Sequence, residues 1–258
     1  MTVSRRALLI SNPGEVGEEN YCKGVFADVA NYQRLLKSPH GGFWQQGEIS
    51  VLNRPSISQV RQAVRDLSSH TYSFIVFSGH GWYSSKDMCN VLTLRKSEEI
   101  ASTELLNGAS KRTAILDCCR KVHNESISES RSMAKAMVME VSGIVRRADP
   151  VKCRDMFFSL ISKASLGIIQ INSCSIAETA GDDETLGGTY SSSLIAVAEQ
   201  WAEQESKKPY WSPANVNSIV GAHSPANSMT QRRSGGTQNP QITKPRSGDY
   251  FPFTVYDA

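Results

Sequence analysis

Two adjacent cysteines, Cys118 and Cys119, follow Asp117 at the end of an apolar run, in ILDCCRKV (115–122). A histidine between glycines, His80 in SGHG (78–81), closes an earlier apolar run. A thiol attacks carbonyl carbon well only as the thiolate, and a neighbouring imidazole can take its proton. Acyl transfer also needs N–H groups aimed at the developing oxyanion. A glycine after the histidine lets backbone approach a substrate closely. His80 as base, one of the two cysteines as nucleophile, and the amides of Gly81 and that cysteine as oxyanion donors would supply these parts. Taken singly, each residue has a structural reading. His80 could serve a turn, and buried cysteines behave as small hydrophobes.

The elements that must position them are legible as apolar runs. RALLIS from Arg5, EISVLN (48–53), YSFIVFSGHG (72–81), TAILDCC (113–119) and LGIIQIN (166–172) read as strands closed by polar or Gly/Pro breakers. Helical spacing links Val25, Phe26, Val29, Tyr32, Leu35 and Leu36, and recurs in Ile57, Val60, Val64 and Leu67 behind a Ser56 cap. Short helical stretches are expected at 102–106 and around Met156–Leu160, and another helix opens in 187–201. Near-continuous apolar strands alternating with helices predict a mostly parallel sheet flanked by helices on both faces. Sites in such sheets lie beyond the carboxyl ends of the strands. His80 and Cys118/Cys119 both sit at strand ends. Residues 120–150 and 204–248 are rich in polar, Gly and Pro punctuation and read as exposed loops. The tail GDYFPFTVYDA reads as a return to an edge strand, with Pro252 against a central one.

FIVFSGHG followed by AILDCCR resembles the caspase/metacaspase group of cysteine peptidases. Gly24 to Asp28 opening the first helix, Ser173-Cys174 with Thr179-Ala180, Gly187-Gly188-Thr189-Tyr190-Ser191, GTQNP (236–240) and FPF (251–253) follow in the family's order, so the resemblance spans nearly the whole chain. It implies a three-layer α/β caspase-like fold in a single domain over 1–258. A large-subunit-like part (1–120) would precede a linker-like loop (121–154) and a small-subunit-like part (155–258). It also implies a His80–Cys119 dyad, with Gly81 and Cys119 amides as the oxyanion hole. Cys118, whose side chain points to the other face of the strand, then belongs to the core. Two departures stand out. Cys119 follows His80 by 39 residues, against roughly 50 in the caspase pattern. Arg120-Lys121 stands where the family prefers a glycine shortly after the nucleophile.

The resemblance also speaks to specificity. Caspases hold a substrate aspartate with arginines, one of them two residues before the first-helix glycine. That position is Cys22 here. Metacaspases line a pocket for Arg or Lys with residues matching Asp28, Ser78 and Asp117, and confined carboxylates favour a basic side chain. The expectation is cleavage after Arg or Lys. An Asp-directed caspase and a catalytically inactive caspase-like module are the alternatives. Asp28 could instead brace the first helix. Residues 120–154 hold Arg131, Arg146, Arg147, Lys152 and Arg154, which such a pocket would accept, so self-cleavage is a regulatory expectation beside that of an ordinary basic surface.

The remaining features exclude more than they assign. A net charge of +3 without a dense Lys/Arg run gives no argument for nucleic acid, and no apolar stretch reaches membrane-span length. The apolar run after Arg5-Arg6 is too short for a signal core. Six scattered cysteines without a C-x-x-C pair support neither a disulfide framework nor a zinc ribbon, and point to reduced thiols in a cytoplasm. Cys22, Cys89, Cys153 and Cys174 read as structural thiols. His40, His70, His123 and His223 show no metal spacing. The proposed chemistry needs no cofactor. Calcium at DDE (182–184) is disfavoured, because Ile176 and Ala177 replace the acidic pair of calcium-dependent metacaspases, and a solvated acidic turn is the reading there. The expected partners are a protein or peptide substrate and a regulatory protein, the latter with a defence or cell-death role by analogy only.

Overall fold

The computed structural model describes residues 3–122, 146–246 and 248–258. Five parallel strands form the centre: β1 (Arg5–Asn12), β2 (Ile49–Asn53), β3 (Tyr72–Gly79), β7 (Lys111–Asp117) and β8 (Gly167–Asn172). Between β3 and β7 lies a separate antiparallel sheet of β4 (Gly81–Ser84), β5 (Cys89–Arg95) and β6 (Glu98–Ala101). Short pairs follow: β9 (Asp182–Asp183) with β10 (Gly187–Gly188), and β11 (Asn215–Ser218) with the later β13 (Pro252–Tyr256). Strand β12 (Gln241–Thr243) joins the main sheet antiparallel to β8, giving the order β12-β8-β7-β3-β1-β2.

The helices are α1 (Gly24–Lys37), α2 (Ile57–Leu67), α3 (Ser102–Leu105), α4 (Pro150–Lys163), α5 (Thr189–Ser206) and α6 (Ile219–Arg233). Alternate side chains of the central strands feed two cores. Ala7, Leu9, Phe74, Val76 and Ile115 pack with α1, α4, α5 and α6, whereas Leu8, Ile10, Ile75, Phe77 and Leu116 pack with α2 and the small sheet. Both faces of the sheet are therefore covered, as its unbroken apolar strands require, and the three-layer architecture is the expected one.

Several sequence readings change. Residues 204–248 are not one exposed loop. They hold β11, α6 and β12, and α6 buries Ile219, Ala222, His223, Ala226 and Thr230. Its Ser, Gly, Asn and internal Pro225 argue against a helix locally, and tertiary burial plus the Ser218 cap overrides them. Helix α4 begins at Pro150 behind an Asp149 cap, so residues 150–154 of the linker-like loop are helical. Most of that loop, with Arg131 and His123, lies outside the described residues. The tail strand β13 pairs with β11, away from the main sheet, and is wholly buried with Pro252 as its first residue. No described helix is long and apolar enough to cross a membrane.

Candidate active site

Parallel pairing in register carries the ends of β1, β3 and β7 to one edge: Asn12 lies opposite Gly79, and Ser78 opposite Asp117. His80 follows β3 and Cys119 follows β7, and both line one cavity of about 480 Å³. Here the Asn12-Pro13-Gly14 breaker has a second use. The His80 ring holds its Nε2 3.3 Å from the Pro13 carbonyl oxygen. A carbonyl only accepts, so Nε2 carries the proton in that bond and Nδ1 is left as the basic nitrogen. Gly14, at φ +92°, lies so close that a Cβ there would sit 2.9 Å from Nε2. The Asn12 side chain holds the turn by donating to Thr93 O and accepting from Gly14 N–H, and Thr93 N–H donates to His80 O. The imidazole is thus framed by backbone on two sides.

The two cysteines part company as strand alternation requires. Cys118 is buried in the core, where Gly81 packs so tightly that a Cβ would meet its Sγ at 2.9 Å. Burial drives the Cys118 thiol well above the ordinary thiol range, with the neighbouring Cys174, Cys119 and Asp117 acting in the same direction. Cys119 is half-buried on the cavity wall, its Sγ 3.9 Å from Ala180 O. None of the six cysteines is joined in a disulfide. Cys22 also lines the cavity.

Arg120, one of the departures from the family pattern, is buried. Its Nε donates to Asn90 Oδ1 at 2.8 Å and its Nη1 to Cys174 O at 3.1 Å, and the guanidinium lies over the Tyr83 ring. It ties the segment behind Cys119 to the small sheet and to the end of β8. Lys121 lines the cavity, with its backbone oxygen accepting from Tyr83 N–H.

Asp28, Ser78 and Asp117 converge, but beneath the cavity wall rather than on it. Ser78 Oγ donates to Asp28 Oδ2 at 2.6 Å, and Gly188 N–H to Asp28 Oδ1 at 2.9 Å. Asp117 Oδ2 accepts from Ser191 N–H at 3.0 Å and Ser191 Oγ at 2.6 Å. The aspartates are only 1% and 5% exposed, and none of the groups holding them is cationic. Burial, then the charge of Asp117, pushes Asp28 well above the carboxylate range. Burial also raises Asp117, against the pull of its serine hydrogen bonds. Both sit against the Gly187–Gly188 backbone, where a Cβ would strike Asp28 Oδ1 or Asp117 Oδ2 at 2.1 and 2.5 Å.

The carboxylate on the wall itself is Asp182, which the sequence reading placed in a solvated acidic turn. It belongs instead to β9, accepts from Gly24 N–H at 3.1 Å at the start of α1, and lines the cavity. Although the residue keeps an exposed edge, protein packed around its carboxylate, with the charges of Asp117, Asp183 and Glu184, raises it to about 6. The only sequence signal for it was the acidic DDE triplet, which cannot reveal a contact 158 residues away with α1. Among the described residues no group of His, Cys, Asp and Glu side chains is arranged to hold a metal ion.

A half-buried thiol and an oriented imidazole thus line one cavity at the carboxyl edge of a three-layer sheet. The chain belongs to the caspase-domain peptidase family, whose model matches residues 4–251. It is accordingly a cysteine-type endopeptidase. No curated protein matches it. Among solved structures it is similar to caspase-1 from Spodoptera frugiperda, at a TM-score of 0.55 and 12% identity, over 94% of this chain and 86% of that one. At that identity the likeness concerns the fold.

Proposed function

We propose that the protein cleaves peptide bonds after Arg or Lys through a His80–Cys119 dyad. His80 Nδ1 takes the Cys119 proton, and the thiolate attacks the carbonyl carbon. The amides of Gly81 and Cys119 hold the oxyanion. The imidazolium returns its proton to the leaving amine as the C–N bond breaks and a thioester forms. Water, deprotonated by His80, then releases the carboxylic acid and restores the thiol. The Pro13 carbonyl fixes the ring so that Nδ1 performs these transfers.

The observation that carries the specificity is the set of three carboxylates with no cation paired to them among the described residues, Asp28 and Asp117 behind the wall and Asp182 on it. A basic side chain would meet Asp182 first. Reaching the inner pair takes a shift of the β9–β10 hairpin, which is held by the exposed Lys23–Glu184 ion pair and the Gly24–Asp182 hydrogen bond. The family resemblance adds, as part of this proposal, a reducing cytoplasmic setting and control by a partner protein in defence or cell death.

The test is a set of internally quenched peptides with Arg, Lys, Gln or Asp before the scissile bond, together with an Arg-directed acyloxymethyl ketone. Arg and Lys peptides should be cleaved, and the adduct should map to Cys119 and vanish in Cys119→Ala. Cleavage after Asp that survives Asp117→Asn would establish an Asp-directed caspase instead. No adduct on Cys119 under any activating condition would leave an inactive module.

A further inference from the structure

The cavity around His80 and Cys119 carries both signs of charge, sorted by the element that supplies them. Glu18 and Glu19 come from the loop before α1, and Asp182 from β9. The cations Arg95, Lys96 and Lys121 come from the small antiparallel sheet and from the segment after Cys119 that is bridged to it through Tyr83 and Val122. Local acids offset only part of the positive group. Glu98 pairs with Arg95, and Glu99 accepts from Trp82 Nε1 and Thr93 Oγ1. Lys96 and Lys121 have no carboxylate within ion-pair distance among the described residues.

Resting on the peptidase reading above, the chemistry orients a substrate across this divide. The group that protonates the leaving amine is His80, so the departing fragment lies on the imidazole's side. Strand β4 starts directly after His80 at Gly81, and β5 is bonded to it through Thr93 N–H and His80 O. The first residues beyond the scissile bond therefore run over the small sheet, where Trp82, Lys96 and Lys121 face the cavity. The residue before the bond lies toward Ala180 and Asp182, on the Cys119 side.

We propose that Lys96 and Lys121 form a subsite for acidic side chains within the first few residues after the cleaved bond. The enzyme then selects junctions in which a basic residue is followed by an acidic stretch. Each half of such a junction meets the opposite charge, and its reverse meets like charge on both sides. The departure of Lys121 from the family's glycine thereby acquires a use.

The test is binding to Cys119→Ala, measured by fluorescence anisotropy at two salt concentrations. The probes are peptides with Arg before the bond and Glu-Glu, Gln-Gln or Lys-Lys at the second and third positions after it. The Glu-Glu peptide should bind about tenfold more tightly than Gln-Gln, the scale of two partly screened charge pairs, and the gap should narrow at high salt. Adding Lys96→Glu with Lys121→Glu should make Lys-Lys the preferred probe. Lys96→Gln with Lys121→Gln should abolish the preference, and covers the case in which charge reversal impairs folding. Equal binding of the three probes overturns the subsite. Cleavage of the same peptides by the wild-type enzyme separates the two readings. Cleavage after Arg without an acidic preference sinks the subsite and leaves the peptidase reading standing. An acidic preference in binding without any cleavage after Arg does the reverse.

Discussion

Asp28→Asn is expected to make the protein more stable and less active. Asp28 is almost wholly buried, is raised by burial and by the charge of Asp117, and is held by Ser78 Oγ and Gly188 N–H. Asparagine fits the same volume. Its oxygen can keep the Gly188 bond and its amide can donate to Ser78 Oγ or to Asp117. The charge repulsion disappears while the packing stays. Relief of the buried charge should fall within the ordinary range of single-site effects, on the order of 1–3 kcal/mol. In a chain of this length each kcal/mol moves Tm by about 2–4 °C.

The pH dependence fixes the sign. A carboxyl raised by folding binds more protons folded than unfolded, so its penalty is absent below its unfolded pKa and grows as pH rises to the folded one. The gain in Tm should therefore be larger at pH 8.5 than at pH 5. Cleavage after Arg should fall, because one charge-assisted contact is lost, by about 10- to 100-fold in kcat/KM. Scanning calorimetry at the two pH values and initial rates on an Arg peptide check both halves. A variant that loses stability at both pH values, or gains equally at both, would refute the picture of a strained carboxylate pair. Undiminished cleavage after Arg would remove the pair from substrate recognition.

Four further outcomes follow from the geometry. Gly14→Ala would push a Cβ into His80 Nε2 at a left-handed φ, so kcat should drop by tenfold or more, and stability by about 1–2 kcal/mol. Arg120→Ala strips buried Asn90 Oδ1 and the Cys174 carbonyl of a cationic donor. It should cost about 3 kcal/mol in a thermal melt and lower kcat by loosening Cys119. For wild type, KM for an Arg peptide should climb as pH falls through about 6, where Asp182 is protonated, and Asp182→Asn should flatten that part of the profile. Self-cleavage, if it follows the basic specificity, should yield new N-termini after Arg131 or the exposed Arg147. None should appear after Arg154, which sits in α4 and is bonded to Glu48. N-terminal sequencing of incubated wild type against Cys119→Ala reads this directly.

How far the sequence reached depends on whether a signal was local. The parallel strands and α1, α2 and α5 announce themselves by apolar run or helical spacing, so β1, β2, β3, β7 and β8 fall where the runs do. The strand-end logic put His80 and Cys119 near each other for the same reason. The small sheet was missed, because β4 to β6 are short and mixed in polarity and gain their meaning only by pairing. Helix α6 was hidden by Pro225 and by its serines. At the site, local reasoning could not see that Pro13 would hold the imidazole, that Asp182 would cap α1, or that Arg120 would span to Asn90. Each is a contact between distant segments. Local spacing also could not tell that Asp28 and Asp117 lie behind the wall, since that depends on where Gly187 and Gly188 settle.

The way those two aspartates are held binds the first part of the chain to the second. Asp28 and Asp117 come from α1 and β7, yet Gly188 and Ser191 of the later part satisfy them. Strand β7 pairs along its length with β8, and Lys111 Nζ reaches the carbonyls of Ile161 and Ser162. Arg120 N–H donates to Glu178 O, and Ala177 N–H to Arg120 O. A nick between residues 123 and 145 would sever the chain without severing the particle. The two pieces should elute together in native buffer and separate only under denaturant, so an intact mass in solution is no evidence of an uncut polypeptide.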